Sequence, residues 1–432
     1  MIRTAAINKM RSKQQTGSAS SPLRVYVLDL LAVVPYYTMS LCAALGRQAG
    51  LNAVCGSTTY HRDAGFHQLR GVRLDARALN LTWKLAWAWP AIRRVARLAE
   101  YLFNLALLAG RFAVSRPDVL HVQFLPLLSL GLPFEIWLLG FCRALGIRLC
   151  CTVHNVLPHD SGKGERARWI RVYNLMDAFV CHDRQSASRL SAEFGIDPAA
   201  ITVIAHGPMF GAGTGCGQGA AKRELGYTDG EFLVLCQGIV RPYKGVPFLL
   251  EAWRQVAREA PHARLAVAGH AEQQIREELI AAVERLGVAD SVRLDLRFLP
   301  ARTVEVYHEA ASTLVYPYRE ITTSGALMTG MATGKAVVAT RLPAFEELLR
   351  QDESALLVEY GNSEGLCAAL LRLINDEELR LKLGEGLRRA ASTLPDWNEI
   401  AQSTAGFYFG MAASGSRRRN AHTIMPKADA SV

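Results

Sequence analysis

The chain has 432 residues, of which half are hydrophobic and a fifth are charged, with 35 glycines and 17 prolines. This composition is typical of a globular protein and excludes a disordered, collagenous or coiled-coil chain. Basic residues exceed acidic ones by ten, so the surface should attract anions such as nucleic acid, anionic lipid or a phosphorylated substrate.

The cysteines and the apolar segments restrict the compartment and the relation to membranes. The nine cysteines are an odd number without a C-x-x-C pair or a zinc-binding spacing. They favour a reducing cytoplasm over a disulfide framework. No apolar core and cleavage site follow the basic N-terminus, so no signal peptide is predicted. The apolar stretches 98–109 and 124–141 are interrupted by polar residues, and neither predicts a transmembrane helix.

The first part of the chain alternates strand patterns with helical patterns. Residues 1–22 are basic and polar and predict a flexible arm. Residues 23–210 predict an N-terminal Rossmann-like domain, because helical segments connect the apolar runs of strand length. We predict strands at 23–31, 51–56, 117–124, 147–155, 178–183 and 201–207, and helices at 37–50, 81–114 with a break at Pro90, before 145, and at 168–177.

A change in composition marks the middle of the chain. Residues 211–220 include five glycines and predict a linker, since such a segment cannot hold a packed element. A second α/β set at 221–396 predicts a C-terminal domain, followed by a closing helix at 397–411 and a flexible basic tail at 412–432. Its strands are predicted at 231–238, 263–269, 291–298, 312–317 and 336–340, and its helices at 245–259, 271–286, 303–311 and 324–334.

The helical crossovers predict the sheet type and the place of the chemistry. Strands connected by helices run parallel. The predicted fold class is therefore α/β, with two doubly wound Rossmann-like domains that face each other across a cleft. Ligands of such domains bind beyond the carboxyl ends of the strands. Residues that carry chemistry should lie in the loops that follow the strands.

Two loops of the second domain predict an anion site. In QGIVRPYKGVPFLLEAW, residues 237–253, a strand is followed by Arg241 and Lys244 and then by a helix. Side-chain cations beside a helix N-terminus attract an anion, although a solvated basic loop is the alternative. In VYPYREITTSG, residues 315–325, Glu320 precedes Ser324 and Gly325, which open a helix. Ser324 is either a ligand of the anion or simply the helix cap.

These stretches resemble the donor-binding half of the GT-B glycosyltransferases of family 4, which transfer a sugar from a nucleotide diphosphate without a metal ion. The resemblance implies that Lys244 binds the diphosphate with Arg241, Ser324 and Gly325. It also implies that Glu320 is the first of two paired glutamates and contacts the sugar. TVHNVLPHD, residues 152–160, resembles the segment of such enzymes that carries a histidine facing the cleft. Together, HNVLPH and PYREITTSG resemble enzymes of bacterial exopolysaccharide synthesis.

Two positions depart from the family pattern. Ile239 follows Gly238 where the family usually has arginine, so Arg241 is an uncertain equivalent. Met328 stands eight residues after Glu320, where the resemblance predicts the second glutamate. A ribose contact through that carboxylate is therefore not expected, and the nucleotide must be held differently.

The resemblance leaves the proton acceptor open. In a retaining reaction the departing phosphate can take the acceptor's proton, and His154 would position the sugar. In an inverting reaction His159 or Asp160 would act as the base, and Asp29 is a further candidate. No D-x-D pair flanks a strand end, and the histidines lack a metal-binding spacing, so no metal cofactor is expected. The donor is expected to be linked to UDP or GDP.

The acceptor side is less specific. Residues 83–111 combine tryptophans with arginines, a composition typical of a membrane-surface helix, although a core helix with a basic face has the same composition. We expect a polyprenyl-linked saccharide acceptor and a peripheral position on the cytoplasmic face of an anionic membrane, with no nucleic-acid partner. A nucleotide-sugar epimerase of the same fold and a non-catalytic nucleotide-sugar binder are the alternatives.

Overall fold

The computed structural model of the protein describes residues 21–58, 63–67, 71–75, 78–85, 89–156 and 163–413. His159 and Asp160, two of the predicted site residues, lie outside these ranges. So do residues 1–20 of the predicted arm and the predicted tail from residue 414 onward.

The N-terminal half forms a six-stranded parallel sheet with the strand order β2-β1-β3-β4-β5-β6. Its strands are β1 (Leu23–Leu28), β2 (Leu51–Gly56), β3 (Val119–Val122), β4 (Arg148–Val153), β5 (Ala178–Cys181) and β6 (Ile201–Val203). Its helices are α1 (Pro35–Leu45), α2 (Ala64–His67), α3 (Pro90–Val114), α4 (Pro126–Ser129), α5 (Phe134–Ala144), α6 (Lys163–Tyr173) and α7 (Arg184–Phe194), with 3₁₀ turns at Thr82–Leu85 and Pro198–Ala200.

The C-terminal half forms a second six-stranded parallel sheet with the order β12-β11-β10-β7-β8-β9. Its strands are β7 (Phe232–Gln237), β8 (Ala263–Ala268), β9 (Val292–Asp295), β10 (Thr313–Tyr316), β11 (Val337–Thr340) and β12 (Leu356–Val358). Its helices are α8 (Gln218–Glu224), α9 (Val246–Glu259), α10 (Gln273–Leu286), α11 (Ala301–Ala310), α12 (Gly325–Thr333), α13 (Pro343–Glu346), α14 (Ser363–Asn375) and α15 (Glu377–Ser392), with a 3₁₀ turn at Pro242–Lys244. The helix α16 (Trp397–Ala413) follows.

Each sheet is buried on both faces, which is why its strands are continuous apolar runs in the sequence. In β7, Val234 and Cys236 point into the core beneath α9, whereas Leu233 and Leu235 point into the core on the opposite face. The alternation follows from the period of two along a strand. The predicted α/β class with two parallel sheets is confirmed.

Several boundaries differ from the predictions for local reasons. β1 ends at Leu28, before the predicted residue 31, because the Asp29 carboxylate accepts hydrogen bonds from the backbone of Val33 and Val34 and turns the chain. The helix α8 begins at Gln218, inside the segment predicted as linker. Residues 341–396 carry no predicted element, yet β12, α14 and α15 lie there.

The helix α16 crosses back from the second domain to the first. Leu394 packs with the second-domain core, whereas Ile400 and Tyr408 are buried in the core beside α1. The indole N–H of Trp397 donates to the carbonyl of Pro208 at 2.8 Å. The chain therefore passes between the domains twice, and the two crossings lie against each other. Among the described residues, no helix has both the length and the apolar character needed to span a membrane.

Close backbone contacts shape the loop after β7. Gly245 has φ of 66°, and a Cβ atom placed on it would lie 1.9 Å from the carbonyl oxygen of Pro317. The amide of Arg319 donates to the carbonyl of Tyr243 at 2.7 Å, which connects the same two loops. Since only glycine avoids this overlap, Gly245 allows the loops after β7 and β10 to meet.

We predict that Gly245→Ala destabilises the protein more than Gly287→Ala does. Both glycines have φ of 66°, but a Cβ at Gly287 meets no atom within 4 Å. The left-handed backbone alone should cost about 1–2 kcal/mol at Gly287, and overlap with Pro317 should add about 1–3 kcal/mol at Gly245. Urea denaturation of both variants measures the difference. Equal losses would contradict the importance of the close approach.

Candidate functional site

The second sheet has its topological switch point between β7 and β10. The strand order runs outward from these two neighbours in both directions, so the loops after them leave a crevice at the carboxyl edge. The loop after β7 carries Arg241 and Lys244, and the loop after β10 carries Glu320, Ser324 and Gly325. The structure thus brings the two predicted motifs to one edge.

Lys244 lies at the centre of this edge. Its ammonium nitrogen lies 5.0 Å from the ring centroid of Tyr318 and close to Gly238, where it would lie 2.5 Å from an added Cβ. Burial lowers the pKa of Lys244, and among the described residues no carboxylate forms an ion pair with it. A partly buried ammonium without a carboxylate partner is suited to bind an anionic ligand.

Besides the hydroxyl of Tyr318, two buried side-chain atoms near this edge lack a hydrogen-bond partner among the described residues. They are Oε1 of Gln237, the last residue of β7, and Oγ1 of Thr322 in the loop after β10. A buried polar group without a partner costs free energy unless a ligand or water satisfies it. Both atoms therefore favour a polar ligand at this edge of the sheet.

Ser324 is the N-cap of α12, which was one of the two roles that the sequence left open for it. Its hydroxyl accepts a hydrogen bond from the amide of Leu327 at 3.1 Å. Gly325 faces the first domain, because a Cβ atom there would lie 2.7 Å from Met209 and 3.1 Å from His206. These two residues therefore shape the N-terminus of α12 and its contact with the other domain, and the backbone amides of this turn are what the loop offers an anion.

Arg241 and Glu320 are exposed and form ion pairs in this structure. The guanidinium of Arg241 pairs with Glu272. The guanidinium of Arg319 lies 3.2 Å from the Glu320 carboxylate. Exposed pairs of this kind contribute little stability and exchange partners readily. Because Arg241 is paired with Glu272 in this conformation, the expectation that it shares a phosphate site with Lys244 requires Arg241 to leave Glu272.

Three histidines surround the ring of Tyr37 at the carboxyl side of the first sheet, and a fourth, His121, lies near them. His154 follows β4, and its ring centroid lies 5.0 Å from that of Tyr37. His182 and His206 lie at 5.1 and 4.8 Å from Tyr37, after β5 and β6. His121, within β3, donates to or accepts from the hydroxyls of Tyr408 and Thr152 at 2.6 and 2.8 Å.

A chain of hydrogen bonds fixes the protonation of His154. His182 Nδ1 lies 3.1 Å from the carbonyl of Ile204, so this nitrogen donates. Burial lowers the pKa of His182 to about 4, and its Nε2 is then an acceptor. His182 Nε2 lies 3.3 Å from His154 Nδ1, which must donate. His154 Nε2 consequently carries a lone pair and can accept a hydrogen bond from a hydroxyl or from a side-chain amide.

The Gln123 side chain lies beside this lone pair. His154 Nε2 is 3.1 Å from Gln123 Oε1, and the amide nitrogen of Gln123 lies 3.2 Å from His121. If the Gln123 side-chain amide is rotated by 180°, its NH₂ group faces His154 Nε2 and donates a hydrogen bond to the lone pair. Burial, followed by the neighbouring His182, lowers the pKa of His154 well below its ordinary value. His154 is thus a neutral hydrogen-bond acceptor and is poorly suited to act as a general base.

Asp29 has a structural role in this conformation. It is 1% exposed, and its carboxylate accepts hydrogen bonds from the amides of Val33 and Val34 and from the hydroxyl of Thr38. Burial raises the pKa of Asp29, and these hydrogen bonds oppose the rise. The carboxylate holds the turn before α1, and the sequence expectation that it faces an acceptor as a base lacks support.

Met328 occupies a core position. It is buried with the α11 and α12 side chains, so no carboxylate replaces the second family glutamate there. Among the described residues, no group of three His, Cys, Asp or Glu side chains is arranged to hold a metal ion.

A basic cleft of about 710 Å³ opens between the domains, beside the carboxyl ends of β8 and β9. Arg93 and Arg94 of α3 line one side, and Arg276 and Arg297 of the second domain line the other. These two arginines belong to the stretch 83–111, whose composition is typical of a membrane-surface helix, whereas in the structure they line this cleft. The cleft adds positive charge to the edge that carries Lys244.

Most of the histidine cluster is not among the predicted site residues, although the sequence carries a signal for it. HVQF, TVHN, VCHD and IAHG each place a histidine at or just after the end of a strand run. Because the carboxyl ends of parallel strands share one edge, four such histidines should meet. Only His154 was singled out, through the resemblance.

Comparisons with known proteins agree with this fold. A family model described as Glycosyltransferase Family 4 matches residues 34–207, and one described as Glycosyl transferases group 1 matches residues 231–376. The D-inositol 3-phosphate glycosyltransferase of Segniliparus rotundus is 30% identical over 243 residues, which cover 56% of this chain and 54% of that protein. The chain spans little more than half the length of the curated relatives it matches.

Two solved structures show the likeness of the fold. The crystal structure of HepE from Anabaena in complex with UDP and glucose has a TM-score of 0.69 and 16% identity, covering 90% of this chain and 99% of that one. A UDP-N-acetylglucosamine 2-epimerase has a TM-score of 0.58 and 15% identity, covering 94% of this chain and 100% of that one. At these identities the likeness concerns the fold, and the predicted GT-B architecture is confirmed.

The buried histidines predict a loss of stability in acid. Burial lowers the pKa of His121 and His206 to about 3 and of His182 to about 4, against 6.5 for an unburied imidazole. The unfolded chain therefore takes up protons below about pH 6.5 that the folded chain does not bind. The stability that these neutral imidazoles contribute is fully present above about pH 6.5. It is lost as the pH falls from 6.5 towards the pKa values of the folded protein. Between pH 7.5 and 5.5 each of these histidines should lower the stability by roughly 1.3 kcal/mol. Burial raises the pKa of Glu135 to about 7, and this acts in the opposite direction over the same range.

Urea denaturation at the two pH values measures this loss. His206→Gln should reduce it by roughly 1.3 kcal/mol, the share of one imidazole. His262→Gln, at an exposed site, should leave it unchanged. An identical loss in wild type and His206→Gln would show that the buried imidazole is not responsible.

Proposed function

Because this chain belongs to the GT-B glycosyltransferases that these two family models describe, we propose that it transfers a sugar from a UDP- or GDP-linked donor to a saccharide carried on a polyprenyl lipid. The proposed setting is the synthesis of exopolysaccharide or another cell-surface glycan. The observation that carries the proposal is the partly buried Lys244 ammonium at the β7–β10 switch point.

The donor diphosphate is assigned to the edge around Lys244. Burial lowers the pKa of Lys244, and the negative charge of a bound diphosphate would raise it again towards its ordinary value. The backbone amides of the first turn of α12 face the same edge, and a helix N-terminus favours negative charge. Gly238 lets the Lys244 ammonium lie against the backbone, and Gly245 lets the loop after β10 approach the loop after β7.

Transfer requires the leaving nucleoside diphosphate to be stabilised as its bond to the sugar breaks. Lys244 and the α12 amides supply fixed positive charge where negative charge develops, and this electrostatic effect is a major contributor to catalysis. We propose that these groups act without a divalent ion. Arg241 joins them after exchanging Glu272 for phosphate, since both are exposed.

The proton of the acceptor hydroxyl is assigned to the departing phosphate, in a reaction that retains the anomeric configuration. His154 Nε2 is proposed to accept a hydrogen bond from a hydroxyl of the transferred sugar in place of the Gln123 amide, and so to position the sugar. This assignment is supported by the low pKa of His154, which keeps the ring neutral, and by the occupied carboxylate of Asp29. Glu320 is proposed to grip hydroxyls of the same sugar.

The acceptor is proposed to reach the enzyme from an anionic membrane surface on the cytoplasmic side. α3 supports this with an exposed face that carries no charge: Ile92, Val95, Ala99 and Phe103 recur at helical spacing. This face is ~27 Å long if continued to residue 110. Trp89 is 78% exposed and Trp137 of the adjacent α5 is 62% exposed. Aromatic side chains beside an exposed apolar face are typical of interfacial helices.

The arginines of the basic cleft suit the phosphate of such an acceptor. Arg93 and Arg94 begin the same helix that carries the apolar face, so lipid and cleft are adjacent. A phosphorylated soluble acceptor would use the same charges, as the name of the Segniliparus relative suggests. The acceptor screen therefore includes a polyprenyl diphosphate-linked saccharide and D-inositol 3-phosphate.

We predict that the purified protein transfers sugar in the presence of EDTA and that Lys244→Ala lowers kcat/KM by about 100-fold or more, because one positive charge at the leaving group is lost. Product formation from labelled UDP- and GDP-sugars measures this. Lys382→Ala removes an exposed lysine of the same domain and is the matched control.

The outcomes separate the alternatives. Conversion of a nucleotide sugar at C2 without any acceptor would identify an epimerase. Binding of a nucleotide without turnover, detected as thermal stabilisation, would identify a non-catalytic binder. Unchanged kcat/KM in Lys244→Ala would exclude the proposed diphosphate contact.

We predict that the apolar face of α3 binds lipid. Replacing Ile92, Val95 and Phe103 together by glutamine should lower the partition coefficient on phosphatidylglycerol vesicles at least tenfold, since each buried side chain contributes about 1.5–3 kcal/mol. Vesicle sedimentation at low salt measures the coefficient. Ile280→Gln with Leu381→Gln, two exposed positions of the second domain, should leave it unchanged. Equal losses in both sets would refute a specific lipid-facing surface.

A further inference from the structure

A hydrogen bond between the domains lies next to the proposed donor loop. The hydroxyl of Thr323 donates to Oδ2 of Asp183 at 2.6 Å. Thr323 precedes Ser324, the cap of α12, whereas Asp183 follows β5 in the first domain. The two residues are 140 positions apart in the chain, so the bond exists only when the two carboxyl edges face each other.

The acceptor of this bond is held firmly. Asp183 is the N-cap of α7, and its carboxylate accepts hydrogen bonds from the amide of Ser186 at 2.6 Å and from the Ser186 hydroxyl at 2.8 Å. A hydrogen bond from Thr323 to an ionised and oriented carboxylate is stronger than one between neutral groups.

Two further contacts hold the same turn of α12 against the first domain. The amide of Met209 donates to the Thr329 hydroxyl at 3.3 Å, and that hydroxyl donates to the carbonyl of Gly325 at 3.0 Å. The surface beside Gly325 leaves no room for a Cβ atom, because Met209 and His206 lie against it. The N-terminal turn of α12 is therefore docked at three points on the first domain.

We propose that Asp183 is a positioning residue that acts through Thr323. Its carboxylate sets the place of the loop 320–325 relative to Lys244, so that the loop meets the donor only when the domains are closed. This inference rests on the proposed function, since that function assigns the loop to the donor. It implies that the acceptor-side domain completes the donor site of the other domain.

The test combines hydrogen exchange with kinetics. Thr323→Val removes the donor group at nearly constant volume, and Asp183→Ser keeps a helix-capping side chain that is too short to reach Thr323. Both should speed amide exchange in residues 320–329 and lower kcat/KM about 10- to 100-fold, the range for a hydrogen bond to a charged group. Thr323→Ser should restore both properties.

Ser186→Ala is the matched control, since it removes a hydrogen bond from the same carboxylate within the first domain. It should leave exchange in residues 320–329 unchanged. The double variant Asp183→Ser with Thr323→Val should lose no more than the larger single loss, because both changes break one bond. Thermal unfolding of each variant verifies that it is folded.

Each outcome decides the proposal. Unchanged exchange of residues 320–329 in Thr323→Val and Asp183→Ser would overturn the docking. Faster exchange with unchanged kcat/KM would overturn the positioning role. If the wild-type protein transfers no sugar, the proposed function fails, and the role in transfer fails with it. The exchange comparison still decides whether the docking exists.

Discussion

All strand pairs in both sheets are parallel, and this constraint determines where the chemistry of the molecule lies. Parallel strands send their following loops to one edge, so groups separated by many residues in the sequence come together there. In the first sheet this edge gathers His154, His182 and His206 around Tyr37, with His121 linked to them through Gln123. In the second it gathers Lys244 and the loop that carries Glu320. Since the two edges face each other, neither domain forms the whole site alone.

Much of this arrangement could be predicted from the sequence. A strand buried on both faces has to be an apolar run, and the runs at β7, β8 and β10 are easily recognised. Glycines followed by cations at the ends of such runs indicate an anion site, and Lys244 lies where that pattern predicts. The α/β class and the two-domain order follow from the alternation of strands and helices.

The remainder depends on contacts across the chain that local patterns do not encode. The local sequence predicts Asp183 only as a helix cap, and no neighbouring residue indicates that Thr323 is its partner. The pairing of Arg241 with Glu272 is equally invisible, because an exposed arginine has several carboxylates within reach. Asp29 shows the opposite problem: a carboxylate at a strand end suggests chemistry, whereas here the backbone amides of its own turn occupy it. Burial and partner geometry decide between these roles.

The return of α16 to the first domain determines how the two halves can move. A single flexible connection would let one domain twist and slide freely against the other. Here two covalent segments cross at nearly one place, where the Trp397 indole is hydrogen-bonded to Pro208 and packs over Gly207. Two adjacent connections suppress twisting of one domain relative to the other. They leave a hinge rotation about the line that passes through both connections. Displacement then grows with distance from that axis, so small angular changes there become larger separations at points farther along the cleft.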